Sequence, residues 1–214
     1  MPPMTTLQSF YDGTITNDEI NYYAERSHGV GAVITGAANV TDMGKGWAGE
    51  LSIAHDDDLP GLTKLASAIQ AQGAKAFVQI FHAGRMSRSD ALNGQQALCA
   101  SAVAGQHRDG SPKTATPRTM TLNEIHETIA AFGQATKRAI EAGFDGVELH
   151  GANLYLLQQF YSPHSNRRTD EYGGTREKRF TFIKQVLDSV FAAVDQYADL
   201  SLIHIWRCRR YAVC

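Results

Sequence analysis

The chain has 214 residues, with 20 basic and 22 acidic side chains and a formal net charge of −2. A chain of that length forms one large domain or two small ones that bury about 70% of the unfolded surface, and its 43% hydrophobic, 20% charged composition excludes disorder as the main state. The balanced charge gives no field to gather nucleic acid or anionic lipid, and no apolar run approaches the ~18 residues of a membrane span, so the expected partner is a small molecule.

Three cysteines, Cys99, Cys208 and Cys214, are too few for a disulfide framework and indicate a reducing, cytoplasmic compartment. The opening residues lack the basic and apolar regions of a signal peptide. Met1–Thr5 is expected as part of a first strand, with Met1 an internal methionine of a longer protein. A helix is predicted from about Asn17 to Ser27, opened by the Thr16 and Glu19 capping-box spacing and closed near Gly29, followed by a strand over Val30–Thr35. Gly44, Gly46 and Gly49 match the GxGxxG letters of a dinucleotide turn, but no helix pattern opens at Gly46, so the stretch reads as a glycine-rich loop. His55 and the three aspartates after it precede a helix and read as its acidic N-terminal cap rather than a metal cluster. No histidine spacing suggests a metal site.

Pro60 opens the second helix, Leu62, Leu65 and Ile69 share its buried face, and Gly73 ends it before a strand over Lys75–Phe81. Gln79 lies near the end of that strand, followed by His82-Ala83-Gly84-Arg85. From spacing alone, Gln79 serves equally well as a ligand group or as a side chain bonded to neighbouring strands. The third helix begins at a Thr121 and Glu124 capping-box spacing, carries Leu122, Ile125, Ile129, Phe132, Ala135 and Ala139 on one stripe, and stops at Gly143. A strand over Val147–His150 follows, then a polar loop from Ser162 to Gly174, whose arginines are expected to pair with its own acids, and a last helix from Arg176 to Tyr197.

Alternating helices and strands imply a parallel sheet covered by helices, either doubly wound or a (β/α)8 barrel. Polar residues follow every strand end, which favours the barrel, where the site is assembled from several strand termini around one mouth. His150, Asn153 and Tyr155 place an imidazole, a carboxamide and a phenol within six residues of one strand end. Two donors and a proton source suit a substrate carbonyl: His150 and Asn153 could stabilise charge growing on its oxygen while Tyr155 acts as general acid. All three are also common as strand-end and turn residues.

Pro3-Met4-Thr5-Thr6, Gln79 through Arg85, and His150 through Gly174 together resemble the old yellow enzyme family, in its subgroup of NADH-dependent flavin oxidoreductases. The resemblance runs from Met1 to about Asp199. It implies an α/β fold, a (β/α)8 TIM barrel represented by about its first four β/α units, with FMN at the mouth, NADH or NADPH as reductant, and an activated alkene or similar small-molecule electron acceptor. It further implies that Pro3, Met4 and Thr5 line the flavin, that Gly36 passes close to the ring, that Gln79 bonds its pyrimidine side, that His150 and Asn153 grip the substrate carbonyl, and that Tyr155 donates the proton. Leu154 departs from the glycine usual between the asparagine and the tyrosine, so a different local backbone is expected there. A full barrel needs about 250 residues and binds phosphate after its last strands.

The expected organisation is therefore a partial barrel domain over 1–199, with 200–214, which resembles translated sequencing adaptor, as a non-native tail. The alternative is a non-catalytic half-barrel that needs a partner, or a second copy of itself, to fold or bind cofactor.

Overall fold

The computed structural model describes residues 1–107, 109, 111–197 and 201–203. Its first helix, α1 (Asn17–Arg26), opens where the Thr16 hydroxyl accepts the Glu19 N–H at 3.2 Å, as the spacing predicts. Strand β1 (Ala32–Asn39) runs well past the expected end at Thr35. A bulge between Ile34 and Ala37 makes that possible. Its unpaired groups find other partners: the Gly36 N–H donates to the Tyr23 phenol at 2.6 Å, and the Thr35 hydroxyl accepts the Gln79 N–H at 3.3 Å.

One 3-10 turn, Asp56–Asp58, leads into α2 (Leu59–Gln70) and carries a reciprocal cap between His55 and Asp58. The His55 imidazole instead faces Asp42 at 2.8 Å. After β2 (Lys75–Phe81) come two short paired strands, β3 (Leu98–Cys99) and β4 (Arg118–Thr119), which are too short to leave a periodicity in the sequence. The capping box of Thr121 and Glu124 opens α3 (Leu122–Glu141). Leu122 is exposed, so the buried stripe starts one turn later at Ile125. Then follow β5 (Gly146–Leu149), a short helix α4 (Leu156–Tyr161) that the sequence pattern does not announce, α5 (Arg176–Tyr197) and β6 (Ser201–Ile203).

The main sheet is parallel in the order β1, β2, β5, β6, a stretch of barrel wall with helical crossovers. Its two faces differ in chemistry because side chains alternate along each strand. Val78, Ile80, Val147 and Leu149 pack with Leu62, Leu65, Ile69, Ile125 and Phe132 of the helices in the main core. Phe77, Gln79, Phe81, Glu148 and His150 occupy the other parity, the interior of the barrel.

Met1–Thr5 is not a regular strand. Met1 alone joins β1, donating its ammonium to Ala32 O at 2.6 Å and accepting the Ile34 N–H at 3.1 Å. The segment then crosses Gly36 so closely that a Cβ there would lie 2.7 Å from Met4 O and 3.1 Å from Thr5 Cα. Of the segment 200–214, Ser201–Ile203 pairs in parallel with Gly146–Glu148; the rest lies outside the described residues. No helix among the described residues is long and apolar enough to cross a membrane.

Candidate functional site

The site is built on the C-terminal ends of β2 and β5. His150 follows Leu149, and its ring stacks on Phe81 with centroids 6.1 Å apart and planes at 30°. Tyr155 meets both edge-on, 4.8 Å from His150 and 5.1 Å from Phe81, and Trp47 closes on Tyr155 at 6.1 Å. The Ala152 N–H donates to His150 Nδ1 at 3.4 Å, which leaves the ring proton on Nε2. Burial pulls the His150 imidazole down to about 4, so it is a neutral donor at pH 7. Burial pushes the Tyr155 phenol up, and the nearby Glu50 carboxyl adds to the shift, so the phenol keeps its proton until a strong base needs it.

Burial and neutrality of His150 have a stability consequence. A histidine in the unfolded chain titrates near 6.5, so between that pH and about 4 unfolding takes up a proton that the folded ring refuses, and stability falls as pH is lowered through this window. Between pH 7 and pH 4, His150→Gln is expected to lose on the order of 2 kcal/mol less than wild type, read by urea unfolding at each pH.

The turn after His150 carries Asn153 and Leu154 at φ values of 55° and 65°. The backbone at both residues is left-handed, so Leu154 bears a strain that a glycine would not. Three bonds hold the turn: the Tyr155 N–H to Ala152 O at 3.2 Å, the Leu154 N–H to Gln158 Oε1 at 2.7 Å, and Gln159 Nε2 to Leu154 O at 2.6 Å. Gln159 also donates to Ala83 O at 3.0 Å and accepts the Arg85 N–H at 3.1 Å, clamping the loop after β2 to the loop after β5. Its amide fills the space beside Gly84, whose φ of 62° a side chain would make costly. Leu154 is 39% exposed, so Leu154→Gly trades a partly buried side chain for relief of left-handed strain. Leu154→Val, whose branched side chain tolerates the left-handed backbone less well, is expected to be less stable by about 0.5–1 kcal/mol, by thermal denaturation.

Asn153 and Tyr155 line a cavity of about 1030 Å³ together with Trp47, Arg88 and Lys113. Gln79 sits one step deeper, in register with Glu148, to whose carboxyl its amide donates. Burial raises the Glu148 carboxyl, opposed by that hydrogen bond. Gln79 is therefore bonded to a neighbouring strand, with Oε1 still free to accept. Pro3, Met4 and Thr5 lie apart from the aromatic group, over β1 at Gly36, with Met4 and Thr5 exposed. The space on the Cβ side of Gly36 is filled by that main chain. Sequence reasoning missed Phe81 and Glu148, although a period of two from Gln79 and His150 marks both; Trp47 and Gln159 left no such signal.

The remaining candidates have structural partners. The glycine-rich loop over 44–49 opens no helix and holds Glu50 fully buried, with the Gly46 N–H donating to its Oε1 at 3.3 Å. In the loop over 162–174, Arg168 grips Asp170 through Nε and Nη2 and donates from Nη1 to Ala100 O and Met120 O. Among the described residues no group of three or more His, Cys, Asp or Glu could hold a metal ion.

Known proteins are similar to this chain over most of its length. NADH:acrylate oxidoreductase of Vibrio harveyi is 50% identical over 197 residues, covering 92% of this chain and 19% of the relative. NADH:fumarate oxidoreductase of Klebsiella pneumoniae is 45% identical over 203 residues, covering 95% of this chain and 22% of the relative. The old yellow enzyme from Pichia superposes with a TM-score of 0.84 at 30% identity, over 94% of this chain and 54% of that one. The chain thus spans about a fifth of two curated relatives and about half of a solved barrel. With the sequence profile matching across residues 1–205, the chain belongs to the NADH:flavin oxidoreductase / NADH oxidase family and has the barrel fold of the old yellow enzymes.

Proposed function

We propose that these residues form the substrate-gripping side of an FMN-dependent oxidoreductase that passes reducing equivalents from NADH or NADPH to an activated alkene. The observation that carries this reading is the placing of a neutral imidazole, a carboxamide and a phenol on one strained turn beside the large cavity. The donor set suits a flat ring with polar edges. Gln79 Oε1 can accept from a ring N–H, the Thr5 hydroxyl can donate to a ring carbonyl, Met4 offers apolar surface, and the His150 imidazole stands beside the ring with its Nε2–H left for the acceptor.

FMN, when bound, supplies hydride transfer between a nicotinamide and an electron-poor carbon. This chain's own contribution is to bind and polarise the acceptor. His150 Nε2–H and the Asn153 amide hold the acceptor carbonyl, where negative charge grows during reduction and is met by fixed donors. Tyr155 delivers its phenolic proton to the carbon next to that carbonyl. Phe81 and Trp47 fix the phenol from two sides, so little orientation is left to chance.

Expressed with a complete eight-stranded barrel, the protein is expected to be yellow and to turn over NAD(P)H with an enone as electron acceptor. A colourless product inert to both would reject the proposal. A second reading is favoured by the apolar residues Met4, Leu7, Phe10 and Tyr11, all more than half exposed along the N-terminal segment. In it the isolated 214 residues are a non-catalytic half-barrel that pairs with a second copy. It predicts a dimer mass by light scattering and no flavin uptake, whereas a monomer that takes up FMN excludes it.

A further inference from the structure

A second pocket, on the far side of Leu154 from the large cavity's Trp47, lies between the loop after β2, the start of the loop over 162–174, and residues 106 and 107. It encloses about 280 Å³ and is lined by Arg85, His107, Gln158, Ser162 and His164 among others, with no aspartate or glutamate in its wall. Arg85 is only 3% exposed. Its Nη1 donates to the carbonyls of Val103 at 3.1 Å and Ala104 at 3.3 Å, and its Nε is buried with no partner. No carboxylate pairs with it among the described residues. Two other arginines have counter-charges: Arg168, also nearly buried, has Asp170, and exposed Arg88 has Asp90.

A guanidinium that is taken out of water without a counter-charge is costly, and carbonyl oxygens alone do not offset that cost. The nearby Cys99 supplies no charge, because burial pushes its thiol up and keeps it protonated. The remaining polar side chains facing the pocket are amides, hydroxyls and imidazoles, all of which can donate. Gln158 uses its Oε1 on the Leu154 N–H, which leaves its NH2 for the pocket, and Ser162 and His164 stand at the rim. A buried cation ringed by donors and free of carboxylates has the chemistry of an oxyanion receptor.

We infer that this pocket binds a small oxyanion, a phosphate or a carboxylate, against the Arg85 guanidinium. The site uses none of the side chains assigned to the flavin or the acceptor, although Leu154 and Gln158 of its wall belong to the turn that carries them. The test is thermal denaturation and calorimetric titration of the purified chain with sodium phosphate, sodium acetate and sodium chloride at matched ionic strength. Phosphate or acetate is expected to raise the melting temperature saturably over chloride. A response to both identifies oxyanions in general, and a response to one identifies a phosphate or a carboxylate as the class.

Gln158→Glu retains the acceptor for the Leu154 N–H and supplies Arg85 with its missing counter-ion. It is expected to fold at least as stably as wild type and to weaken anion binding about tenfold or more. If that variant does not fold, His164→Glu on the exposed rim must produce the same loss. Absence of a saturable response to both anions, or an unchanged response in the variant that folds, would overturn the inference.

Discussion

Tyr155→Phe, in a protein carrying the complete barrel, is expected to slow reduction of an enone by NADH about 10²–10⁴-fold. The half-reaction in which NADH bleaches the yellow colour is expected to slow far less. The asymmetry follows from where the phenol sits. Its ring is fixed by Phe81, His150 and Trp47, contacts that phenylalanine retains, so the substitution removes an O–H and little packing. Stopped-flow measurement of the two half-reactions separates them. Equal loss in both would make Tyr155 a positioning residue for the ring rather than the proton donor.

Phe160→Ala is expected to destabilise the chain by about 3–5 kcal/mol, the usual cost of emptying a fully buried aromatic site. Phe160 is completely buried and stacks on Phe182 of α5, with centroids 4.0 Å apart and planes at 24°, while Tyr172 meets it edge-on at 6.3 Å. It therefore pins α4 to α5 and to the loop over 162–174. Because Tyr155 is the residue at which α4 opens, the same cavity is expected to loosen the proposed catalytic turn. Urea unfolding reads the first effect, and a loss of enone affinity in the complete protein reads the second.

Much of the architecture was legible in the sequence because its signals are local. Thr16 with Glu19 and Thr121 with Glu124 are caps that form within one turn, and both helices open where the spacing places them. The extension of β1 was not legible, since the bulge at Thr35–Gly36 is stabilised by Tyr23 and by the backbone of Gln79, far away in the chain. Alternation along β5 could have placed Glu148 on the face of His150. Nothing local could have shown that Gln159 binds Ala83, Leu154 and Arg85 at once. At Leu154 the three bonds around the turn hold the left-handed backbone against the side chain's preference.

The loop from Ser162 to Gly174 followed its composition more closely. Arg168 and Asp170 are two residues apart, close enough to meet without help from the rest of the fold. Its neighbour Arg167 makes a different contact, donating its backbone N–H to the Ser101 hydroxyl at 2.8 Å. The function of Gln79 was open on sequence between ligand and strand partner. Its bond to Glu148 uses one end of the amide and leaves the other available, so both roles are compatible in one side chain.

The most direct measurement is a crystal structure of the complete-barrel protein grown with FMN. The account predicts the flavin ring seated between Pro3–Thr5 and the turn from His150 to Tyr155, with one edge bonded to Gln79 Oε1 and the His150 imidazole in contact with the ring, its Nε2–H facing the acceptor side. A flavin bound elsewhere, or one that leaves both Gln79 and His150 without a contact, would contradict it.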